Sequence, residues 1–339
     1  MNSLSIDDPN YASARDEWRR ANLAPLWESP TAHKLAGDGE KPLVWAWSKM
    51  RPLIGHALAM SSPAAVERRV LSLSNPGLGE HGATLGTLAV ALQSLRPGEV
   101  ARPHRHSMNA IRLVLEGSGA ETLVDGKACM MEYGDLILTP GWCWHEHRHP
   151  GSEPIIWLDA LDVPFHDFLG TSEFQPGPIN APMQTLADDV FAVANMLPEG
   201  LPANPQHSPV FRYSFENARR ALAAAPVAAD GLRRVRYVNP QNGASALAFL
   251  DCSLIGIDRT VTAKRTRSNT HAVCCVLDGE GSSIIGSETV SWSARDIFTL
   301  PPGAWCQHRA SSAEAKLFVV SDRDIFQRLN LLREEIDPA

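Results

Sequence analysis

Two segments of the chain carry histidines whose spacing could hold a metal ion. His104 and His106 are separated by one residue, and His145 lies in a later segment. Alternate residues of a β-strand point to the same face, so the first two can face one interior, where His145 could meet them. Three neutral imidazoles at one point bind a divalent metal and leave coordination positions open, which is typical of a catalytic site.

Arg112 has the same alternation as the first histidine pair and is predicted to face the same interior. A buried guanidinium needs an anionic partner, and a substrate carboxylate fits its planar donor geometry. The alternative is a structural ion pair with Asp159 or Glu121. Gln93, on the preceding predicted strand, could add a hydrogen bond.

His147 has the alternation of His145 but is not predicted to be a fourth ligand. Beside a bound phenol it could accept or hold a proton near neutral pH. Asp159 could orient a ring nitrogen of a histidine. The alternatives are that His147 faces solvent and that Asp159 only caps a strand.

The composition excludes several classes of protein. The chain has 339 residues, 44% of them hydrophobic, and a formal net charge of -7, which gives no attraction for nucleic acid or anionic lipid. No apolar run is long enough to cross a bilayer, and the first residues lack a secretory pattern. The six cysteines include no CxxC pair, so we expect reduced thiols and a cytoplasmic protein.

The pattern of apolar, turn and proline residues divides the sequence into four parts. Residues 1–80 are predicted to be helical and irregular, with helices from Tyr11 towards Asn22 and from Ser62-Pro63. In residues 81–165, short apolar runs alternate with turns, including the hairpin signal Asp125-Gly126. Residues 166–232 form a proline-rich connector with a helix near Ser214 to Ala225. The β pattern returns in residues 233–339, with a final helix from Ser321 that carries Ile325, Leu329 and Leu332 on one face.

An internal repeat relates the two β regions. Gly117, Asp135, Pro140 and Trp144 match Gly279, Asp296, Pro301 and Trp305. Two copies of one antiparallel barrel in tandem are the simplest explanation.

The histidine spacing resembles that of the cupin superfamily. The usual cupin glutamate is replaced here by Ala110 or Ile111, which leaves three histidines without a carboxylate ligand. Nearly the whole chain resembles the bicupin gentisate 1,2-dioxygenases and their salicylate and 1-hydroxy-2-naphthoate dioxygenase relatives. The segments that carry the resemblance are NLAPLWES, ERRVLSLSNPGL, PGEVARPHRHSMNAIRLVLEG, GDLILTPGWCWHEH, IIWLDALDVP and YVNPQNG.

This resemblance implies a mainly β fold of two tandem double-stranded β-helices, with an N-terminal helical segment and a helical connector. It implies that His104, His106 and His145 bind Fe(II), which the substrate chelates through its carboxylate and ortho-hydroxyl oxygens. With O2, the ring is cut between the carbons that carry these two groups. Arg112 and Gln93 would hold the carboxylate, His147 and Asp159 would handle protons, and Arg68 would reach the pocket. Enzymes of this family are usually homotetramers.

Departures from the family pattern concern the substrate pocket and the second barrel. Ala89 stands where relatives often carry tryptophan, Ala91 stands at the usual glycine, and Met108 and Asn109 change the stretch after the ligands. More space and a new amide predict a substituted salicylate, such as a 5-substituted one, as readily as gentisate. In the second barrel, the three ligand positions hold Thr266, Ser268 and Cys306, and only His308 survives, as the match of His147. We therefore expect no metal there and a structural role.

Two other classes of protein stay open at this point. Three histidines also suit a Zn- or Mn-dependent cupin isomerase or hydrolase. A non-catalytic bicupin that binds aromatic acids would show ligand binding without turnover.

Overall fold

The computed structural model describes residues 9–25, 39–61, 68–79, 83–177, 187–191, 196–201 and 206–338. The chain divides into two units, Met1–Asp38 and Gly39–Ala339. In the first unit, helix α1 spans Pro9–Arg20, so it begins and ends slightly before the predicted bounds. Asn22 has a φ of 57°, a left-handed conformation that cannot continue a helix. The predicted helix start at Ser62-Pro63 lies outside the described residues.

The elements of the second unit fall into two successive series. The first series is β1 (Val44–Trp45), α2 (Trp47–Met60), β2 (Val70–Ser72), β3 (Ala89–Leu95), β4 (Val100–His106), β5 (Ala110–Glu116), β6 (Ala120–Val124), β7 (Lys127–Met131), β8 (Leu136–Thr139), β9 (His145–Arg148), β10 (Ile155–Leu161), α3 (Val163–Leu169) and β11 (Phe174–Pro176). The second is β12 (Arg212–Tyr213), α4 (Phe215–Ala224), β13 (Arg233–Arg236), β14 (Asp251–Asp258), β15 (Thr266–Ser268), β16 (Ala272–Asp278), β17 (Glu280–Ile285), β18 (Glu288–Ser293), β19 (Ile297–Leu300), β20 (Cys306–Ala310), β21 (Glu314–Ser321), α5 (Arg323–Arg328) and β22 (Glu334–Ile336). Short 3₁₀ helices span Pro76–Leu78 and Asp188–Phe191.

The two barrels have the same strand order. The first consists of sheets ordered β12-β8-β5-β10-β3-β2 and β11-β4-β9-β6-β7, and the second of sheets ordered β1-β19-β16-β21-β14-β13 and β22-β15-β20-β17-β18. Each strand of one barrel therefore has a counterpart at the same place in the other. The predicted fold class, a mainly β chain of two tandem double-stranded β-helices, is confirmed.

Local sequence explains how individual elements form. The two-residue turn Asp125-Gly126 joins β6 to β7 with φ values of 44° and 83°, the left-handed pair that this hairpin type requires. The hairpin prediction is confirmed. Ser214 begins α4, and its hydroxyl accepts a hydrogen bond from the backbone N–H of Asn217 at 3.2 Å. The helix predicted between Ser214 and Ala225 is confirmed.

Each barrel is completed by a strand from outside its own predicted limits. In the first part of the chain, predicted to be only helical and irregular, Val44–Trp45 pairs with β19 of the second barrel and Val70–Ser72 pairs with β3 of the first. In the connector, Arg212–Tyr213 pairs with β8. These pairings are fixed by long-range contacts, which two- or three-residue runs do not reveal. The predicted domain limits stay predictions.

The predicted final helix is shorter than expected. Helix α5 ends at Arg328, Asn330 adopts a left-handed φ of 58°, and β22 follows in the sheet beside β15. The prediction that Leu329 and Leu332 continue the helical face is wrong, because pairing of β22 with the barrel replaces another helical turn. Among the described residues, no helix is both long and apolar enough to span a membrane.

Candidate metal centre

The three predicted ligands come together inside the first barrel. His104 and His106 lie on β4, and His145 begins β9 directly opposite His104. All three residues are buried, and their ligand atoms lie within 4.8 Å of one another. Alternation along one strand and pairing with its neighbour thus place three imidazoles at one point, as the sequence predicted.

Each of these imidazoles is oriented by a backbone carbonyl. Nδ1 of His104 lies 2.9 Å from the carbonyl oxygen of Arg102, and Nδ1 of His106 lies 2.8 Å from that of Met108. Nδ1 of His145 lies 3.0 Å from the carbonyl oxygen of Cys143. A carbonyl can only accept, so Nδ1 carries the proton and Nε2 keeps its lone pair for a metal.

The unpaired ring nitrogens match the needs of a bound cation. Nε2 of His104 and Nε2 of His145 are buried and have no hydrogen-bond partner. Burial, with the charge of Arg68 next in size, lowers the pKa of His104 to about 3. Burial also lowers the pKa of His106 to about 4 and that of His145 well below its ordinary value. The donors are therefore neutral at neutral pH, and a metal would satisfy nitrogens that otherwise lack partners.

Arg112 and Asp159 face each other on β5 and β10. Their Nε and Oδ1 atoms lie 3.2 Å apart, close enough for an ion pair but not aligned for a hydrogen bond, and both atoms lack a hydrogen-bond partner. Arg112 also donates from Nη1 to the hydroxyl of Thr139 at 2.7 Å. Burial raises the pKa of Asp159 and lowers that of Arg112, and each partner's charge opposes this effect. The ion pair considered as an alternative from the sequence is present.

Asp159 does not orient a histidine in this structure. Its Oδ2 accepts a hydrogen bond from the indole N–H of Trp157 at 3.1 Å, and its other neighbour is Arg112. The prediction that Asp159 contacts a ring nitrogen of a histidine is therefore wrong. The register of β10 against β5, which the sequence pattern does not fix, decides this partner.

His147 is buried next to the three ligands. Its Nδ1 lies 2.9 Å from the hydroxyl of Thr122, and its ring centre lies 6.1 Å from that of His145. The alternative of a solvent-facing side chain is excluded. Burial, followed by the charge of Arg112, lowers the pKa of His147 well below its ordinary value. The ring is therefore neutral at neutral pH without substrate, and its handling of a proton beside a bound phenol stays a prediction.

The predicted pocket residues of β3 lie on the face that carries this ion pair. Ala91 is opposite Asp159, and Gln93 is opposite Trp157 on the same strand pair. Ala89 shares their alternation. Nε2 of Gln93 is buried without a hydrogen-bond partner, so this amide could still donate to a ligand.

Arg68 lies near the metal-ligand histidines. Its guanidinium stacks over the ring of Phe174 at 5.1 Å, and that ring stacks on His104 at 5.4 Å between centres. The charge of Arg68 lowers the pKa of both His104 and His106. Phe174 was not predicted. It belongs to β11, whose pairing with β4 opposite His106 has no local sequence signal.

Asn109 does not offer its amide freely to a substrate. Its Nδ2 donates to Oδ2 of Asp162 at 2.9 Å, and its Oδ1 accepts from the backbone N–H of Gly141 at 3.1 Å. These contacts use one N–H and one lone pair of an amide that has two of each, and the prediction that Asn109 binds substrate stays a prediction. Asp162, which was not predicted, is the last acid of the WLDALD segment and precedes α3.

The second barrel repeats the backbone of this centre without its ligands. Thr266 pairs with Cys306 as His104 pairs with His145, and His308 contacts Ser283 as His147 contacts Thr122. Among the described residues, only the group of His104, His106 and His145 has metal-ligand geometry. The absence of a metal from the second barrel remains a prediction.

Comparisons with known proteins agree with this geometry. Residues 91–161 match the family model of the cupin domain. Gentisate 1,2-dioxygenase 1 of Aquipseudomonas alcaligenes is 35% identical over 324 residues and is matched over 92% of both chains. The 5-aminosalicylate 1,2-dioxygenase of a Comamonas species is 32% identical over 99% of this chain and 92% of its own length. The crystal structure of salicylate 1,2-dioxygenase from Pseudoaminobacter salicylatoxidans with gentisate has 28% identity and a TM-score of 0.91 over 99% of this chain and 96% of that one.

Two tandem barrels with a buried three-histidine centre in the first define a bicupin with a catalytic metal site. This chain belongs to the gentisate and salicylate 1,2-dioxygenase family, whose members are ring-cleaving dioxygenases.

Proposed function

We propose that this enzyme uses Fe(II) and O2 to open the ring of gentisate or a 5-substituted salicylate between the carboxyl-bearing C1 and the hydroxyl-bearing C2. The observation that carries the proposal is the convergence of three Nε2 donors beside the buried guanidinium of Arg112. Family membership supports the reaction type, and the donor set supports a divalent ion with open positions.

The ion held by His104, His106 and His145 would supply the path for electrons between the closed-shell aromatic acid and triplet O2. The remaining chemistry belongs to side chains of this chain. The guanidiniums of Arg68 and Arg112 are the charged groups that act on both His104 and His106 from close range, so the field at the centre favours an anionic substrate.

Binding of the carboxylate is assigned to Arg112 and Gln93. Nε of Arg112 and Nε2 of Gln93 are both buried donors without a hydrogen-bond partner. A carboxylate that accepts from these two atoms would satisfy both and would share Arg112 with Asp159. The substrate thereby enters with its acid group held and its ring directed along the Ala89–Ala91 face of β3.

Proton handling is assigned to His147, and the positioning of Arg112 to Asp159. Burial, followed by the charge of Arg112, lowers the pKa of His147, so the neutral ring can accept a hydrogen bond or a proton, and a bound anion would offset the second of these effects. Asp159 acts through Arg112, because its carboxylate balances the buried charge of the guanidinium and holds it in place.

Substrate choice is assigned to the small side chains of Ala89 and Ala91. Methyl groups at these positions leave space beside the ring that an indole would fill, which favours a substituent at the 5-position. That one relative is named for 5-aminosalicylate supports this part of the proposal.

The test is oxygen uptake by Fe(II)-loaded enzyme offered gentisate, salicylate, 5-aminosalicylate, 5-nitrosalicylate and 1-hydroxy-2-naphthoate. We expect consumption of O2 matched by loss of the aromatic absorbance, with 5-substituted acids used at least as well as salicylate. Failure to consume O2 with any of them would overturn the proposed reaction. Equal turnover under anaerobic conditions, or with Zn(II) alone, would indicate an isomerase or hydrolase instead.

Assembly and location are part of the same proposal. By resemblance to its family we expect a homotetramer, which light scattering after gel filtration would measure. The six buried cysteines are all unpaired, in keeping with a reducing compartment such as the cytoplasm.

A further inference from the structure

A buried carboxylate holds the loop that follows the first histidine pair through two hydrogen bonds. Asp162 accepts hydrogen bonds from the backbone N–H of Asn109 at 2.8 Å and from its side-chain amide at 2.9 Å. The side chain of Asp162 is only 1% exposed, and Nε2 of His166 lies 3.8 Å from its Oδ1. A carboxylate at this depth is stable only if it is hydrogen-bonded, so it fixes Asn109 firmly at the start of β5.

The loop held by Asp162 also orients a metal ligand. Met108, the residue before Asn109, supplies the carbonyl that lies 2.8 Å from Nδ1 of His106. From the other side, the backbone N–H of Trp142 donates to the carbonyl of His106 at 2.7 Å. A shift of Asn109 would therefore move the Met108 carbonyl and rotate the imidazole of His106.

Asn109 also joins this loop to the turn that precedes His145. Its Oδ1 accepts from the N–H of Gly141 at 3.1 Å. The two loops are so close that a Cβ on Gly141 would lie 2.4 Å from the carbonyl oxygen of Ser107. One amide thus holds together two segments that carry ligands.

The second barrel contains the same pair of hydrogen bonds to a buried carboxylate, but no metal ligand next to it. Asp322, before α5, accepts from the N–H of His271 at 2.9 Å and lies 2.7 Å from its Nδ1, as Asp162 does with Asn109. The residue at the place of His106 is Ser268. This carboxylate–loop contact is therefore a feature of the fold, and only in the first barrel does the loop it holds orient a metal ligand.

We propose that Asn109 and Asp162 are positioning residues for His106: they hold the Met108 carbonyl in place and thereby set the direction of the metal-binding nitrogen. This inference rests on the metal site of the proposed function and assigns to Asn109 a role other than binding substrate.

The test compares Asn109→Ala and Asp162→Asn with the matched control Asp322→Asn in the second barrel. Co(II) affinity is measured by its visible spectrum, and the melting temperature of the metal-free protein is measured alongside. We expect the two first-barrel variants to lose about 10- to 100-fold in Co(II) affinity, the usual effect of removing a group that orients a ligand. The control should melt earlier but bind Co(II) like the wild type.

Asn109→Ala keeps the backbone hydrogen bond to Asp162, so this variant tests the proposal even if Asp162→Asn does not fold. Wild-type Co(II) affinity and an unchanged spectrum in a folded Asn109→Ala variant would overturn it. So would an equal loss of affinity in Asp322→Asn, because the effect would then be one of general stability. Because Co(II) binding needs no turnover, an enzyme that consumes no O2 would refute the proposed function while leaving this result readable.

Discussion

At the scale of single residues, the buried pair of Arg112 and Asp159 joins stability to substrate binding. Two charges buried this deeply are stable only as an ion pair, and removal of one leaves the other as an uncompensated buried charge. Nε of Arg112 has no hydrogen-bond partner and can still donate to a substrate, whereas the charge of the guanidinium is already balanced by Asp159. We therefore expect the two roles to separate in a mutant cycle.

Arg112→Leu should lower the free energy of unfolding by about 3–5 kcal/mol, because Asp159 loses its partner. The double variant Arg112→Leu with Asp159→Leu should recover most of that loss and yet stay inactive, since no guanidinium remains for the carboxylate. Urea unfolding and oxygen uptake measure the two effects. A double variant as unstable as the single one would show that the pair is not the source of the loss, and activity in either would remove Arg112 from the substrate site.

The space beside the substrate ring offers a second test at this scale. Ala89→Trp should lower kcat/KM for 5-substituted salicylates relative to salicylate by about 10- to 200-fold, the range that steric discrimination in a pocket reaches. Valine at the same position is the control, because it adds little volume. An unchanged ratio in the tryptophan variant would place Ala89 away from the 5-position.

At the scale of elements, the two barrels share strand order and register but differ in chemistry. Thr266 faces Cys306 in the same register in which His104 faces His145. The second barrel also keeps a cavity of about 520 Å³ whose lining includes Thr266, Ser268 and Cys306. At the ligand positions, the two halves therefore differ in their side chains and not in their strand pairing.

Histidines at these three positions, Thr266→His, Ser268→His and Cys306→His, should therefore create a second metal site. Equilibrium dialysis should find a rise from one bound Co(II) per chain to two. The double variant without the change at Cys306 is the control and should stay at one. A triple variant that folds and still binds one ion would show that shared register is not sufficient for the site.

Sequence patterns predicted the residues of the site better than their partners. Strand alternation was enough to bring His104, His106 and His145 together, because it is a local rule. The partner of Asp159 and the contact of Asp162 with Asn109 depend on how distant strands align, which no local pattern encodes. The same limit explains why β1, β2 and β22 were missed: each is too short to be recognised without the sheet that receives it.

At the scale of the whole molecule, one charged cluster ties three regions together. His271 of the second barrel lies 2.7 Å from Asp322 and 3.1 Å from Glu40 of the N-terminal segment. Thr87, from the loop before β3 of the first barrel, donates to the same Asp322 at 2.7 Å. Burial opposes the charge on His271, but hydrogen bonds from the ring to Asp322 and Glu40 outweigh it and raise the pKa to about 9 from 6.5.

This pKa predicts how stability depends on pH. A histidine whose pKa is raised on folding contributes its full stabilisation below pH 6.5 and loses it as the pH rises through 9. Between these limits the loss should amount to about 3 kcal/mol, from the free energy of a pKa shift of this size. His271→Gln should lack this component, whereas titration of thiols in the unfolded chain is common to both proteins. Parallel urea curves across this range would mean that His271 is not charged in the folded protein.

If three imidazoles of one barrel hold the catalytic iron, removal of one should abolish iron binding and activity together, which a paired measurement on wild-type enzyme and His106→Ala tests. Iron content per chain and oxygen uptake with a 5-substituted salicylate are recorded on the same samples after reconstitution. We predict one iron per chain and rapid uptake in the wild type, with both lost in a variant that keeps its fold. Retention of iron and of oxygen uptake by the folded alanine variant would show that these imidazoles do not hold the catalytic iron.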